Sequence, residues 1–236
     1  MTGVRKSRRR PVARLSQDQR ISDILAAARE VISGKGYEGV TMAEIAERAN
    51  IVEGTVYRYF KNKDDLLMQV AEEWFTESYA DRIEVGAFSG TYNKLRYLIW
   101  HSLKTVADGP TFSRYVMMEL RPRSDYKDTA LYEINREYTR EIRQLFRDAI
   151  ASGEFKSGVP ERLLRDMVFG TIEHSTWRFL RGEGSLDLEE LADEITMVVY
   201  QGMSAQASKD ERIDAIDSVV SRLEAVADRL EGSRPA

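Results

Sequence analysis

The chain has 236 residues, of which 42% are hydrophobic and 31% charged; it has no cysteine and a net charge of −4. This describes a globular chain with a real core, and it excludes a disulfide framework, a thiolate metal site and a cysteine nucleophile. The charge is uneven, with a net +4 over residues 1–65 and −8 over the rest, which suits a basic head that meets a polyanion.

Residues 1–15 carry Arg5, Lys6, Arg8, Arg9, Arg10 and Arg14, and Pro11 breaks any helix there. The stretch reads as a flexible basic arm, either a nucleic-acid contact or a solubilising tail. No apolar run follows it as a secretion signal requires, and none approaches membrane length. The expected compartment is the cytoplasm, with no membrane partner.

From Ser16 onward the pattern is helical. Ser16 and Gln19 form a capping-box pattern, and Ile21, Ile24, Leu25, Ala28, Val31 and Ile32 share a face until Gly34 and Gly36. Thr41 and Glu44 open a second, short helix to about Ala49. Asn50 and Ile51 make a turn, and a third short helix spans about Glu53 to Tyr59. A fourth begins near Lys63, with Leu66, Leu67, Val70, Ala71 and Trp74 inward. Leu95 to Val106 mark another, ended by Gly109-Pro110, and a short one covers Thr111 to Leu120. Leu131 to Ala149 mark a long one, ended by Gly153. Two more cover about Pro160–Arg181 and Leu186–Met203, and an amphipathic one about Lys209–Leu230. No alternating run supports a strand.

The most specific signal is TMAEIAERANIVEGTVYRYFKNKDDLL, residues 41–67. It reads as two short helices about a tight turn. Ile45, Ala46, Ala49, Val56 and Phe60 point inward, and Asn50 takes the left-handed turn position. Glu53, Thr55, Tyr57, Arg58 and Tyr59 are left facing outward or sideways, on a helix that fits a major groove. Tyrosines, an arginine and a lysine on one short helix and its exit favour DNA binding over a hairpin that merely packs.

Thr41, Ile45-Ala46, Ala49, Gly54-Thr55, Tyr57, Tyr59-Phe60, Lys63 and Leu66-Leu67 resemble the head of the TetR family, over roughly residues 17–68. The resemblance implies an all-α fold: a three-helix helix-turn-helix DNA-binding head and a larger helical body for ligand binding and dimerisation. It divides the chain into an arm (1–15), a head (16–65), a body (66–207) and a carboxy-terminal amphipathic helix and tail (208–236). The DNA-binding residues it implies are Thr41, Val52, Glu53, Gly54, Thr55, Tyr57, Arg58, Tyr59 and Lys63. Of these, Thr41, Tyr57, Tyr59 and Lys63 hold phosphates. The family often has glycine where this chain has Asn50, and serine or threonine where it has Val52. Valine removes a helix cap and a phosphate contact, or offers its methyls to a thymine.

In the body, the helix near 160–181 has two apolar stripes. Leu163, Met167, Gly170, His174 and Trp177 form one; Leu164, Val168, Thr171, Ile172, Ser175 and Phe179 form the other. One side is expected to line the interior and the other to meet a second copy, with Leu191, Ile195, Val198, Val199, Gly202 and Met203 completing a four-helix interface. The stretch GTIEHSTWRFLRGEG resembles the acyl-CoA-responsive branch of the family. An acyl pocket is therefore expected among Trp100, Leu103, Phe112, Met117, Tyr138, Met167, Thr171, His174 and Trp177, with Met118 nearby, unless these are plain core residues. Arg121 and Arg123 sit at a helix-to-loop junction, either solvated or at a pocket mouth.

His101 and His174 stand far apart, and no phosphate loop or nucleophile elbow occurs. No catalytic residue, metal or cofactor is expected. The expected function is a homodimeric regulator that a small molecule releases from a near-palindromic double-stranded DNA operator. The alternative is a DNA-bound scaffold that docks another protein and takes no ligand.

Overall fold

Capping side chains set where the helices begin. The computed structural model describes residues 16–205, and all its regular structure is helical, with one isolated bridge between Phe155 and Ser204. The basic arm and the expected helix near 209–230 lie outside the described residues.

α1 (Gln17–Lys35) starts where Ser16 Oγ accepts from the Gln19 amide at 3.1 Å. The reciprocal half of that box is absent, because the Gln19 side chain donates to Asp23 instead. α2 (Met42–Arg48) has the full box: Thr41 Oγ1 accepts from the Glu44 amide at 3.3 Å, and Glu44 Oε2 accepts from the Thr41 amide at 3.0 Å. Asn50 then turns the chain with φ of 54°, the left-handed value that asparagine tolerates. α3 (Glu53–Val56) is one turn, shorter than expected. Beyond it the amides of Arg58 and Tyr59 bond back three residues, to Thr55 and Val56, so the helical path tightens toward Phe60. α4 (Lys63–Ala80) begins where Asn62 Oδ1 accepts from the Asp65 amide at 2.8 Å.

The body holds α5 (Thr91–Asp108), α6 (Pro110–Tyr115), α7 (Ala130–Ala151), α8 (Glu161–Leu180) and α9 (Leu188–Met203). α5 is its axis and packs against α6, α7, α8 and α9, with Leu95, Ile99 and Leu103 fully buried. Gly109 separates α5 from α6 because nothing larger fits: a Cβ there would lie 2.4 Å from the Trp74 ring. Pro110 follows as the first residue of α6, where its missing amide is harmless. α6 runs into a π turn, Val116–Leu120, so the expected helix 111–120 is two pieces. The end of α9 is pinned to the loop after α7, where Lys156 N donates to Met203 O at 2.8 Å and Ala205 N to Glu154 O at 2.9 Å.

Two cores result. One joins α1–α4 to α6 and the start of α7 through Phe112, Tyr115, Leu120 and Leu131. The other fills the space between α5, α7, α8 and α9. The expected division at 65/66 falls inside α4, which belongs to both the head and the body.

Candidate functional site

The head presents α3 on a buried foundation. Ile45, Ala46, Val56 and Phe60 are all buried, as their spacing predicts, and Ala49 is half-buried. Val52, Glu53, Gly54, Tyr57 and Arg58 are exposed and Thr55 is half-buried, so one face of α3 and its exit is open. Tyr59 lies sideways, half-buried, with its ring packed in part against the head core. Thr41 is exposed, but its hydroxyl donates to Glu44 Oε2 at 3.0 Å. Lys63 is half-buried and its ammonium donates to the Glu38 carbonyl at 3.0 Å. Thr41 must release Glu44 before its hydroxyl can donate to a phosphate, whereas the Lys63 ammonium keeps further protons to donate.

The head's charge has an unexpected source. Residues 16–65 hold 7 Lys+Arg against 9 Asp+Glu, a net of −2, so the positive charge of the first 65 residues belongs entirely to the arm. Several head cations are also committed. Arg29 pairs with Glu73 and Glu77 of α4, Lys35 with Glu44, and Arg48 with Glu30. Arg58 has no ion-pair partner among the described residues, which leaves it available on the open face of the motif.

The body contains a cavity of about 340 Å³ walled by residues of α4 to α8. Phe75, Val106, Val116, Met117, Leu131, Phe169 and Ile172 supply apolar wall. Ser102, Thr105, Ser113, Tyr126, Tyr132, Asn135, Tyr138 and Thr139 supply neutral polar groups, and Arg121, Arg165, Asp166 and Glu173 supply charges. Tyr138 is the buried anchor: its hydroxyl lies 2.8 Å from Ser102 Oγ and 3.0 Å from His101 Nδ1. Burial pushes the Tyr138 hydroxyl well above the usual phenol range. Burial, followed by the nearby Arg82, pushes His101 down, which favours the neutral ring.

Of the nine residues expected to line a pocket, the cavity takes Met117 and Tyr138. Leu103 is inside the core between α5, α7, α8 and α9, and Phe112 in the core that joins the head to α6, stacked on Trp74 at 5.5 Å. Trp100 lies on the other side of α5, its Nε1 donating to Glu189 at 2.8 Å. Met167, Thr171 and His174 are exposed on α8, with Trp177 half-buried behind them. α8 divides in part along its stripes: Leu164, Val168 and Ile172 are buried, while Leu163 and Met167 are 50% and 53% exposed, but Thr171 of the buried stripe is exposed too. On α9, Met197 and Val198 are exposed, and Ile195 and Met203 turn inward.

The segment that walls one side of the cavity also holds the head. Arg114 of α6 pairs with Glu38 and lies over the Tyr37 ring at 5.2 Å. The Tyr115 hydroxyl donates to Asp64 Oδ1 at 3.2 Å, and Arg123 Nη1 donates to Asp64 Oδ2 at 2.6 Å. Tyr37 donates to Glu119 at 3.4 Å, and burial together with the adjacent Glu38 and Glu119 pushes its hydroxyl up to about 12. Ser113, Val116, Met117 and Arg121 face the cavity from this same stretch.

Two family models match the chain. One, for bacterial regulatory proteins of the tetR family, covers residues 24–70, and the other, for the tetracyclin repressor-like C-terminal domain, covers residues 90–203. This chain belongs to the TetR family. The TetR-family regulator is 29% identical over 182 residues to the fatty acid metabolism regulator protein of Bacillus subtilis (strain 168), covering 76% of this chain and 93% of the relative. The crystal structure of the transcriptional regulator FadR from Bacillus subtilis in complex with stearoyl-CoA aligns with a TM-score of 0.62 at 28% identity, over 77% of this chain and 98% of that one. The fatty acid degradation regulator FadR from Bacillus halodurans shares the fold, with a TM-score of 0.62 at 23% identity over 79% and 97% of the two chains. These relatives are transcription regulators rather than enzymes. No helix among the described residues is long and apolar enough to cross a membrane.

Most of the regulator's cavity wall escaped sequence reasoning. One signal was present: Asn135 and Thr139 interrupt the inward stripe of α7 at a step of four, beside Leu131 and Tyr138. Polar residues on an otherwise inward face need either partners or a cavity. Arg121 and Arg123 are exposed to solvent but also engaged. The first lines the cavity and the second clasps Asp64.

Proposed function

We propose that the chain is a homodimeric, operator-binding repressor, acting in the cytoplasm, whose DNA affinity falls when a fatty acid or acyl-CoA enters the body cavity. The reading rests on one observation above all: residues 110–128 wall the cavity on one side and grip the head on the other. A ligand that shifts this segment shifts Arg114 and Arg123, and with them Glu38 and Asp64 of the head. DNA affinity then falls by the ligand's differential affinity for the two head positions. The fatty acid regulator of Bacillus subtilis supports the ligand class.

The exposure of the apolar Leu163 and Met167 on α8 and of Met197 and Val198 on α9 supports the dimer. Two copies packed about a two-fold axis on α8 and α9 bury these side chains in a four-helix interface. In this reading α3 enters the major groove, with Val52, Glu53, Gly54, Thr55 and Arg58 toward base edges and Thr41, Tyr57, Tyr59 and Lys63 toward phosphates.

Selection of bound genomic fragments, followed by titration of saturated acyl-CoAs against the selected duplex, tests the whole reading. The expected result is a near-palindromic site released by acyl-CoA at saturable concentration. A selected site that no acyl-CoA or fatty acid releases leaves a DNA-binding regulator without the proposed effector.

A further inference from the structure

Two arginine–carboxylate pairs edge the cavity mouth. Arg121, just beyond the π turn, donates from Nη1 to Glu173 Oε2 of α8 at 2.8 Å. Arg165 donates from Nε to Asp166 Oδ1 at 2.8 Å. All four side chains line the cavity, and all four reach solvent, with Arg121 43% and Glu173 33% exposed at the side chain. Arg165 and Glu173 stand eight residues apart on α8, two turns along the edge of one face. Tyr126, in the same wall, has a buried hydroxyl with no hydrogen-bond partner.

The charges at this mouth cancel, while the wall below is apolar or neutral. A neutral lipid gains nothing from either arginine. An exposed arginine–carboxylate pair is weakly held, since water screens both ends and two long side chains must be fixed. A phosphate brings more charge and a geometry that matches the guanidinium fork with two parallel bonds. It competes with a half-exposed glutamate on favourable terms.

We infer that Glu173 is a placeholder on Arg121, displaced when the phosphate-bearing head of a coenzyme-A-type ligand reaches the cavity mouth. The inference rests on the cavity being the effector site. It adds that the site distinguishes ligands by head group, with Arg121 as the discriminating residue and Glu173 as its internal competitor. Displacement also removes one tie between α8 and the segment carrying Arg123, two residues from Arg121.

The test is calorimetric titration of the full chain with saturated acyl-CoAs from octanoyl to stearoyl. The tightest-binding length is then repeated as its N-acetylcysteamine thioester, which keeps chain and thioester but lacks phosphates, and as the free fatty acid. Arg121→Ala is expected to weaken acyl-CoA about tenfold and leave the neutral thioester within about twofold. Glu173→Gln is expected to tighten acyl-CoA about threefold or more, with no gain for the neutral thioester. A gain in affinity cannot come from misfolding, so this variant protects the test. Equal loss of all three ligands in Arg121→Ala overturns the inference and makes Arg121 a wall residue. Weakening by Glu173→Gln overturns the competition, since Glu173 then orients Arg121. A free fatty acid that shows the full Arg121 dependence overturns the phosphate preference. A wild-type protein that binds none of the series overturns the effector reading itself, a result distinct from the other three.

Discussion

The head and the body of this regulator are held to shape over different distances. In the head, Thr41 and Glu44 cap each other, Asn50 makes its turn with its own backbone, and Asn62 caps Asp65. Each bond spans three residues or fewer. The body cavity instead needs Phe75 from α4, Ser102 from α5, Ser113 from α6, Asn135 from α7 and Phe169 from α8 to converge. A surface that must fit a duplex of fixed dimensions is built from local geometry that varies little. The cavity proposed to admit and release a small molecule is built between five helices distant in sequence. In the proposed reading, the second kind of structure acts on the first through the joint where Arg114 and Arg123 hold Glu38 and Asp64.

The comparison assigns shape to the folded head and charge to the arm, and the largest expected effect follows from that division. Removing residues 1–14 leaves a head whose net charge over residues 16–65 is −2. Binding should fall by about a hundredfold or more near physiological salt, and the salt slope should shrink by several units, because each lost phosphate contact removes roughly 0.9. Fluorescence anisotropy with an operator duplex across a salt series measures both. The loss should be greatest with A/T-rich flanks, whose narrow minor groove attracts arginine. An unchanged slope would return the phosphate contacts to the folded head and make the arm a tail.

Next in size is Arg58. It has no ion-pair partner among the described residues and stands at the exit of α3, so removing it breaks nothing internal. Arg58→Ala should weaken operator binding by ~1–3 kcal/mol and random DNA by little, if it reads a guanine edge. Equal losses on both duplexes would move it to the backbone and leave base reading to Val52, Glu53 and Thr55.

The same division explains how much was legible in the sequence. The helix-turn-helix could be read because Thr41, Asn50, Val56 and Phe60 act through neighbours, and their types at that spacing carry the geometry. Helices α5, α7, α8 and α9 could be read from periodicity alone. The cavity could not. Leu103 and Tyr138 are both inward residues on adjacent helices, yet one fills the core and the other walls the void. Which of them does so depends on helix rotation and on the π turn at Val116–Leu120, which no local pattern announces. Met167, Thr171 and His174 illustrate the limit on one helix. They come from both stripes, but α8 leaves all three exposed, and Phe169 and Ile172 line the void instead.

A smaller effect probes the body through His101. Its ring is buried beside Tyr138, and burial and then Arg82 hold its pKa below the usual 6.5. The unfolded chain therefore binds a proton at a pH where the folded chain does not. Stability is full above 6.5 and is lost as the pH falls from there toward the lowered folded value. Thermal melts between pH 7.5 and 5 should show this loss, and His101→Asn should flatten the part that comes from this ring. A variant with the same pH profile as the wild type would place the acid sensitivity elsewhere.

The smallest expected effect sits where the head departs from its own local logic. Val52 occupies the cap position of α3 with an extended backbone, φ of −82° and ψ of 145°, but it has no side-chain acceptor for the open amides of the first turn. Every other cap in the head has one: Ser16, Thr41 and Asn62 all accept a backbone proton. The valine is 74% exposed, so its methyls gain almost nothing from packing. Val52→Ser should therefore raise stability by about 0.5–1 kcal/mol, read as a small rise in melting temperature. If the methyls touch a thymine, the same change should lower operator affinity while leaving random DNA unchanged, so stability and specific binding move in opposite directions. If Val52 merely lies near the backbone, the new hydroxyl should strengthen binding to both duplexes. A serine variant with unchanged stability would mean that water already satisfies the first turn of α3. The head would then owe its shape at that point to the foundation of Val56 and Phe60 rather than to a cap.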